Sequence, residues 1–186
     1  MLSDDDHIEA FCATGDRRHF EFIVMRHLGL IRRLLFSLLH GNHVDMQDAE
    51  QKVLLRLFVS LPRYAGASAF STYLTRLIRN TAIDEIRKHQ RHRKIAERVL
   101  AFPPEPTHHD EPLKALVEEQ ERADVISALD RLKTDERFVL YMKDAEGWSL
   151  AEISEALAKP IEPTHKLLFA ADADSILKLA PTFYAQ

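Results

Sequence analysis

Cysteine and glycine are both scarce in this chain of 186 residues, which contains one cysteine and five glycines. The single cysteine, Cys12, cannot form a disulfide within the chain, so a disulfide-stapled secreted fold is excluded and a reducing cytoplasm is expected. No segment alternates apolar and polar residues for long enough to predict a β-strand. The predicted fold class is therefore all-α.

Long apolar runs are missing as well. The longest of them, such as Leu34-Leu35-Phe36, cover only a few residues, whereas a membrane-spanning helix needs about 20. The start of the chain, from Met1 to Asp6, is acidic where a secretory signal is basic. We therefore expect a cytoplasmic protein without membrane insertion.

Motifs typical of enzymes and metal sites are also absent from the sequence. It has no glycine-rich phosphate loop, no nucleophile elbow and no pair of carboxylates with an evident pocket. The histidine pairs His40/His43 and His108/His109 lack a cysteine or carboxylate at metal-ligand spacing. We predict a protein that is not an enzyme and that needs no metal or other cofactor.

The charges that are present lie unevenly along the chain. Residues 1–94 carry 15 Lys/Arg and 11 Asp/Glu, a net charge of +4, whereas residues 95–186 carry 10 and 18, a net charge of −8. Because cationic surfaces attract phosphates and anionic ones repel them, only the N-terminal half is predicted to bind nucleic acid.

Four prolines between Pro103 and Pro112 preclude a continuous helix in the middle of the chain. We predict a helical domain over residues 1–98, a linker over 99–112 and a second helical domain over 113–186. Apolar periodicity predicts helices at about 5–14, 17–40, 46–61 and 70–94, then at 113–131, 135–145, 149–157 and 162–179.

The second domain carries the punctuation of a helix-turn-helix. Thr134 is the expected N-cap of a helix with an acidic first turn, and Ser149 and Glu152 have the spacing of a capping box. A short turn at residues 159–163 leads into the last helix. In this geometry the last helix is the one that enters a major groove.

The segment 70–94 combines apolar, aromatic and basic residues on one predicted helix. Its apolar stripe consists of Leu74, Leu77, Ile78, Ala82, Ile83 and Ile86. Guanidinium groups neutralise phosphates and aromatic rings stack on unpaired bases, so this helix is a candidate nucleic-acid reader. The alternative is an amphipathic helix with a solvated basic face.

The loop at residues 61–69 is a second candidate. Gly66 and the small residues around it permit a base to approach the backbone, and Tyr64 and Phe70 could bracket that base. Packing of both rings beside the start of the helix is the alternative.

The order of residues in segment 70–84 resembles the second conserved region of the extracytoplasmic-function (ECF) sigma factors of bacterial RNA polymerase. The matching positions include Phe70, Tyr73, the Arg79-Asn80 pair and Asp84. Segment 45–58 resembles the helix of that family which docks on the β′ clamp helices of core polymerase. The resemblance covers nearly all of residues 5–94.

This resemblance implies two sets of binding residues. The expected contacts with core polymerase are Asp45, Asp48, Gln51, Lys52, Leu55 and Arg56. The expected contacts with the promoter's minus-ten element, one base of which the loop would hold, are Arg63, Tyr64, Gly66, Ser68, Phe70, Thr72, Tyr73, Arg76, Arg79, Asn80, Arg87, Lys88 and Arg91.

Residues 129–140 and 146–154 resemble the fourth region of the same family, which contacts the polymerase β flap and reads the upstream, minus-thirty-five element. The last helix departs from the family, because Leu167, Ala170 and Asp172 stand where arginines are usual. Each lost phosphate contact removes about one released counterion, so we expect weak upstream DNA binding. Its candidate contacts are Ser149, Thr164, His165 and Lys166.

Two functions follow from the resemblance. The first is an ECF-type sigma factor that binds core polymerase and promoter DNA, directs transcription initiation and is regulated by an anti-sigma factor or another protein. The second is a sigma-like decoy or adaptor that binds an anti-sigma factor or other regulator without initiating transcription.

Overall fold

The structure is a computed structural model that describes residues 2–39, 44–99 and 132–171. These residues form seven α-helices and one turn of 3-10 helix at Leu61–Arg63, and they contain no β-strand. The helices are α1 (Asp4–Thr14), α2 (Arg17–Leu39), α3 (Met46–Ser60), α4 (Phe70–Val99), α5 (Thr134–Asp144), α6 (Leu150–Leu157) and α7 (Ile161–Ala171). The predicted all-α class is confirmed.

Several sequence predictions fall on residues outside this description. They are the helix at 113–131, the linker beyond Val99, the end of the last helix beyond Ala171 and the histidines His40, His43, His108 and His109. Helix α4 continues five residues past its predicted end at residue 94. The first strong helix breaker after that point is Pro103, so the sequence offers no earlier stop.

The helix starts follow capping chemistry, with one correction. Ser149 caps α6 as predicted, since its Oγ accepts from the Glu152 amide and its own amide donates to the Glu152 carboxylate. The predicted N-cap at Thr134 is wrong, because the N-cap of α5 is Lys133. The Lys133 amide donates to Glu136 Oε2 over 2.8 Å, which starts the helix one residue earlier.

Helices α1–α4, here called the N-terminal unit, pack around a shared apolar core. Helix α2 contributes the largest group of fully buried side chains, and α3 and α4 pack against both it and each other. On α4, Leu74, Ile78, Ala82 and Ile86 are buried as the periodicity predicts, while Leu77 and Ile83 are half-buried. The remaining faces of α4 therefore stay available for polar side chains.

Helices α5–α7, here called the C-terminal unit, pack on the N-terminal unit rather than standing apart from it. Helix α5 contacts α2, and α6 contacts α4. Buried residues of both units, among them Phe138 and Ile153, belong to one continuous apolar cluster. None of the helices described is both long enough and apolar enough to cross a membrane.

Candidate nucleic-acid interface

The loop before α4 lies beside a cluster of three aromatic rings. The Tyr64 ring centroid is 5.9 Å from that of Phe70 and 5.0 Å from that of Tyr73. The Tyr64 hydroxyl donates to the carbonyl of Ser68 over 2.5 Å, so this side chain closes its own loop. Burial raises the pKa of Tyr64. Tyr64 and Tyr73 are half-buried and Phe70 is buried, so of the three only the tyrosines keep an exposed edge.

Backbone geometry in this loop depends on one glycine. Gly66 has a φ of +68°, a left-handed conformation that L side chains rarely adopt, and a Cβ at this position would meet nothing within 4 Å. Gly66 and its neighbour Arg63 are exposed, and Ser68 is half-buried. The loop therefore offers open space and one cation beside the aromatic cluster.

Thr72 occupies a different environment from the other residues assigned to the minus-ten element. Its side chain is 3% exposed. A group so deeply buried contributes to packing, and it can reach DNA only if the start of α4 moves. The loop and the aromatic cluster, not Thr72, form the accessible part of this region.

The far end of α4 presents a cationic surface. Arg87, Lys88 and Arg91 are all exposed. Together with neighbouring residues they line a polar groove of about 620 Å³, whose other lining residues are Arg56, Asp84, Glu85, Gln90 and Lys94. Exposed cations in a row along a helix are the electrostatic footprint of phosphate binding. We call this surface the basic end of α4.

Helix α3 separates its six expected polymerase contacts into two groups. Asp48, Gln51 and Leu55 are exposed, and the Leu55 side chain is 64% exposed. Asp45 is the N-cap of α3, where its Oδ1 accepts from the amides of Gln47 and Asp48 over 2.8 and 3.1 Å. Asp45 therefore stabilises the helix whether or not it touches polymerase.

Lys52 and Arg56 connect α3 to α4. Lys52 Nζ donates to Glu85 Oε2 over 2.5 Å, and this hydrogen bond raises the pKa of Lys52. Arg56 donates to Asp84 over 2.8 Å and to the Thr81 hydroxyl over 3.2 Å. Both cations thus hold the two helices in register while their outer atoms stay accessible.

The proximal arginines of α4 contact the C-terminal unit. Arg76 donates to the Glu155 carbonyl over 2.5 Å and to the Ala156 carbonyl over 3.4 Å, at the end of α6. Arg79 donates to Asp135 Oδ1 at the start of α5, and its side chain is only 11% exposed. Asn80 beside them is exposed and accepts from Arg79 over 3.2 Å.

The helix-turn-helix of α6 and α7 turns at Ala158, which has a positive φ of 51°. Of the four residues assigned to upstream DNA, His165 and Lys166 are exposed on α7, and Ser149 is exposed but serves as the N-cap of α6. Thr164 is fully buried and donates to the Pro160 carbonyl over 3.0 Å. A surface with two basic side chains is thus what the described part of α7 offers to DNA.

Sequence reasoning missed the residues that join the two units. Arg33 of α2 donates to the Tyr141 hydroxyl over 3.2 Å and to Glu146 over 3.1 Å. Asp135 accepts from both Arg79 and Lys159. These partners are separated by up to 113 residues, so no local spacing in the sequence pairs them.

Comparisons with known proteins assign both units. Residues 23–92 match the model of Sigma-70 region 2, and residues 122–162 match the model of Sigma-70 region 4. The chain is 32% identical to the ECF RNA polymerase sigma factor SigE of Mycolicibacterium smegmatis, over 79% of this chain and 57% of that protein. It is 26% identical to the RNA polymerase sigma-H factor of Pseudomonas aeruginosa, over 84% of each chain.

Solved structures include one with the same fold. It is the structure of CnrH in complex with the cytosolic domain of CnrY, with a TM-score of 0.60, 20% sequence identity and coverage of 99% of both chains. The two region matches fall in the expected order on the two helical units, and both the SigE relative and the sigma-E relative of Haemophilus influenzae carry ECF sigma factor names. The chain therefore belongs to the extracytoplasmic-function sigma factors of bacterial RNA polymerase.

Proposed function

We propose that this chain directs core RNA polymerase to promoters in the cytoplasm, with its N-terminal unit providing both the polymerase contact and the minus-ten contact. The observation that supports this most directly is the arrangement of α3 and α4. The exposed side of α3 and the basic end of α4 belong to one packed pair of helices, joined by the Lys52–Glu85 and Arg56–Asp84 ion pairs. Polymerase and DNA would thus be held in a fixed relative position.

The polymerase contact would use the exposed residues of α3. Asp48, Gln51 and Leu55 supply a carboxylate, an amide and an apolar side chain on one helical face. Lys52 and Arg56 border this face and fix its position relative to α4. Asp45 would act mainly through the helix start that it caps.

The minus-ten contact would extend along α4 from the loop to the basic end. Arg87, Lys88 and Arg91 would neutralise phosphates, and the loop with Gly66 would receive a base turned out of the duplex. Tyr64 and Tyr73 would supply a ring edge or face to that base. Stacking on an aromatic ring contributes about 1–3 kcal/mol per base, which offsets part of the cost of unpairing.

The C-terminal unit would contact the polymerase flap and add little upstream DNA affinity. On the described part of α7 its exposed basic residues are His165 and Lys166, and Thr164 is buried there. No chemical step falls to this chain, because the members of its family are initiation factors and polymerisation belongs to the polymerase.

Run-off transcription tests the proposal. Purified chain and core polymerase are incubated with fragmented genomic DNA of the organism that encodes the chain, and the transcript starts are sequenced. We expect transcripts that begin at a shared set of sites and that depend on the chain. Core binding without any such transcripts would contradict the proposal and favour the decoy or adaptor function.

A charge reversal separates polymerase docking from folding. Asp48→Lys with Gln51→Lys should weaken core binding by about tenfold. The reason is that two like charges facing each other across an interface cost on the order of 1 kcal/mol or more. Glu9→Lys, a charge reversal at an exposed position of α1, is the control for added positive charge. Asp45 is left intact because its loss would also weaken the start of α3. Equal affinities for the double variant and the control would remove α3 from the docking site.

A further inference from the structure

A fourth ring, from α2, contacts the aromatic cluster formed by Tyr64, Phe70 and Tyr73. It is the imidazole of His27, whose centroid is 5.3 Å from that of Phe70 at an interplanar angle of 67°. Rings at this distance in an edge-to-face arrangement attract each other. The cluster beside the loop is therefore supported from a second helix.

Asp4, in the first turn of α1, fixes the orientation of the His27 ring. His27 Nε2 lies 2.8 Å from Asp4 Oδ2. A carboxylate oxygen can only accept, so Nε2 carries the hydrogen of this bond. The other oxygen of Asp4 accepts from Arg26 Nη1, and Arg26 also donates to the Leu2 carbonyl over 3.0 Å. Both oxygens of Asp4 thus have a partner on α2, and the carboxylate cannot turn without breaking a hydrogen bond.

Little solvent reaches the contact between His27 and Phe70. The side chain of His27 is 15% exposed, and Phe70 is buried. A hydrogen bond to a carboxylate is stronger where water is excluded, and closely packed rings have little space in which to move. The His27 ring therefore restricts the positions that the Phe70 ring can take.

Phe70 connects His27 to the two rings that the proposed function assigns to an unpaired base. Its centroid is 5.9 Å from that of Tyr64, again edge-to-face at 75°, and 6.2 Å from that of Tyr73. Both tyrosines keep an exposed edge. Loss of the His27 ring would leave a cavity into which Phe70, and after it Tyr64, can shift.

Helix α1 also lies beside the loop itself. It packs against the 3-10 turn at Leu61–Arg63, which leads into the loop. Burial, and after it the negative charge of Asp5, raises the pKa of Tyr64. The Tyr64 hydroxyl therefore keeps the proton that it donates to the Ser68 carbonyl. Two neighbouring carboxylates of α1 thus act on the cluster, one through His27 and one directly on Tyr64.

We propose that His27 is a positioning residue of the minus-ten contact. Held by Asp4, it keeps Phe70, and through Phe70 the rings of Tyr64 and Tyr73, where they receive an unpaired base. Neither His27 nor Asp4 touches DNA, so the first turn of α1 supports base capture without a DNA contact of its own. This inference rests on the proposed function, which assigns the two tyrosines to the base.

Substitutions in the full-length chain separate positioning from general packing. His27→Ala removes the ring, whereas His27→Phe keeps a ring against Phe70. His19→Ala is the matched control, because it removes another half-buried histidine of α2 that contacts α1. His19 Nδ1 lies 3.0 Å from His7 Nδ1, and this contact involves no ring of the cluster. Circular dichroism and urea denaturation check that each variant is folded.

Asp4→Ala is a second, milder test of the same support. It leaves the His27 ring in place but removes its hydrogen-bond partner. A histidine without a partner gains by turning its ring toward water, whereas the phenylalanine of His27→Phe does not. Asp4→Ala should therefore disturb the cluster in the same direction as His27→Ala, and by less.

The first measurement observes the cluster in the free chain. Nuclear Overhauser effects between the ring protons of Phe70 and Tyr64 report the contact of these two rings and do not depend on the ring of His27. We expect the effects to weaken in His27→Ala and to remain in His27→Phe and His19→Ala.

The second measurement uses holoenzyme assembled from core polymerase and each variant. Its probe is a labelled promoter fragment from the run-off transcripts, with a mismatched minus-ten element. His27→Ala should weaken binding of this probe by about threefold to tenfold, part of what one base–ring stack contributes. His27→Phe should bind like the wild type. Binding of the fully paired fragment on ice, where no base is turned out, should be the same for all variants.

Each contrary outcome is distinct. Unchanged Phe70–Tyr64 effects in His27→Ala and Asp4→Ala would show that His27 does not position the cluster. Equal losses in His19→Ala and His27→Ala would assign the result to general packing of α1 on α2.

A variant with Tyr64→Ala distinguishes failure of this inference from failure of the proposed function. If Tyr64→Ala weakens binding of the mismatched probe and His27→Ala does not, the support from His27 has no role in base capture. If Tyr64→Ala also binds this probe like the wild type, the assignment of Tyr64 to the base is wrong, and the minus-ten part of the proposed function fails with it.

Discussion

The two ends of α4 carry the same kinds of cation but present them in opposite ways. Arg87, Lys88 and Arg91 at the basic end are exposed, whereas Arg76 and Arg79 near the start contact the C-terminal unit. The sequence of the helix gives no reason for this difference. It arises because α5 and α6 pack on one half of the helix and leave the other half uncovered. Residue type alone therefore does not decide which cations are available to a ligand.

The largest effect should come from a core residue that packs α4 against the other helices. Ile78 is fully buried in the middle of the proximal half of α4. Ile78→Ala should reduce the free energy of unfolding by about 2–5 kcal/mol, the usual cost of a cavity in a packed core. Urea denaturation measures this loss. A loss below about 1 kcal/mol would mean that Ile78 is not part of the packed core that holds α4 in place.

Removing the cations at each end of α4 separately should have unequal effects on DNA binding. In the intact chain we combine Arg87→Ala, Lys88→Ala and Arg91→Ala. The negative slope of log K against log salt should become shallower by about 2–3, since each phosphate contact contributes about 0.9. Arg76→Ala with Arg79→Ala should change the slope by less than about 1, because both are held by the C-terminal unit. DNA binding measured at several salt concentrations compares the two. Equal slope changes per substituted cation would show that the two ends are equally available.

Acid should weaken the covered end selectively. The folded-state pKa of Asp135 is lowered below its usual 3.8, so its ionised form stabilises the contacts with Arg79 and Lys159. Its contribution is complete above about pH 4 and is lost as the pH falls through the lowered value. The stability difference between the wild type and Asp135→Asn should thus be constant near neutral pH and shrink below about pH 4. A difference that stays constant in acid would remove the carboxylate from the interface.

A smaller gain should come from adding a cation to α7. His165 is exposed, so His165→Arg should raise the salt slope for duplex binding by about 0.9, one phosphate contact, without loss of packing. Leu167 is a poorer position for this change, since it packs against the apolar cluster. Glu162→Arg on the same helix adds a matched comparison. No change in slope for either variant would indicate that this face of α7 does not meet DNA.

Local chemistry made much of the fold predictable. Apolar periodicity gave the seven helices that the structure describes, with their described ends within five residues, and four buried positions of α4. The spacing of Ser149 and Glu152 gave the start of α6. The family resemblance, and with it the two regions, is confirmed by the comparisons. The site residues themselves stay predictions.

Other features depend on tertiary contacts that no local pattern contains. Arg79 and Asp135 are 56 residues apart, and in the sequence each looks like an ordinary exposed charged residue. Thr164 looks like a surface residue, yet a hydroxyl that donates to the carbonyl four residues earlier can be buried without penalty. Thr134 fails as an N-cap because the Glu136 carboxylate caps the helix from inside.

The continuity of α4 has a kinetic consequence. Helix α4 runs without a break through both regions, so Arg87 at the basic end lies about 16 Å along the helix axis from Arg76, which contacts α6. Collision with DNA can therefore begin at the basic end while the C-terminal unit still covers the start of the helix. We expect Asp135→Asn, which removes the charged partner of Arg79, to leave the stopped-flow association rate nearly unchanged. A faster association rate for this variant would show that Arg79 takes part in the first encounter.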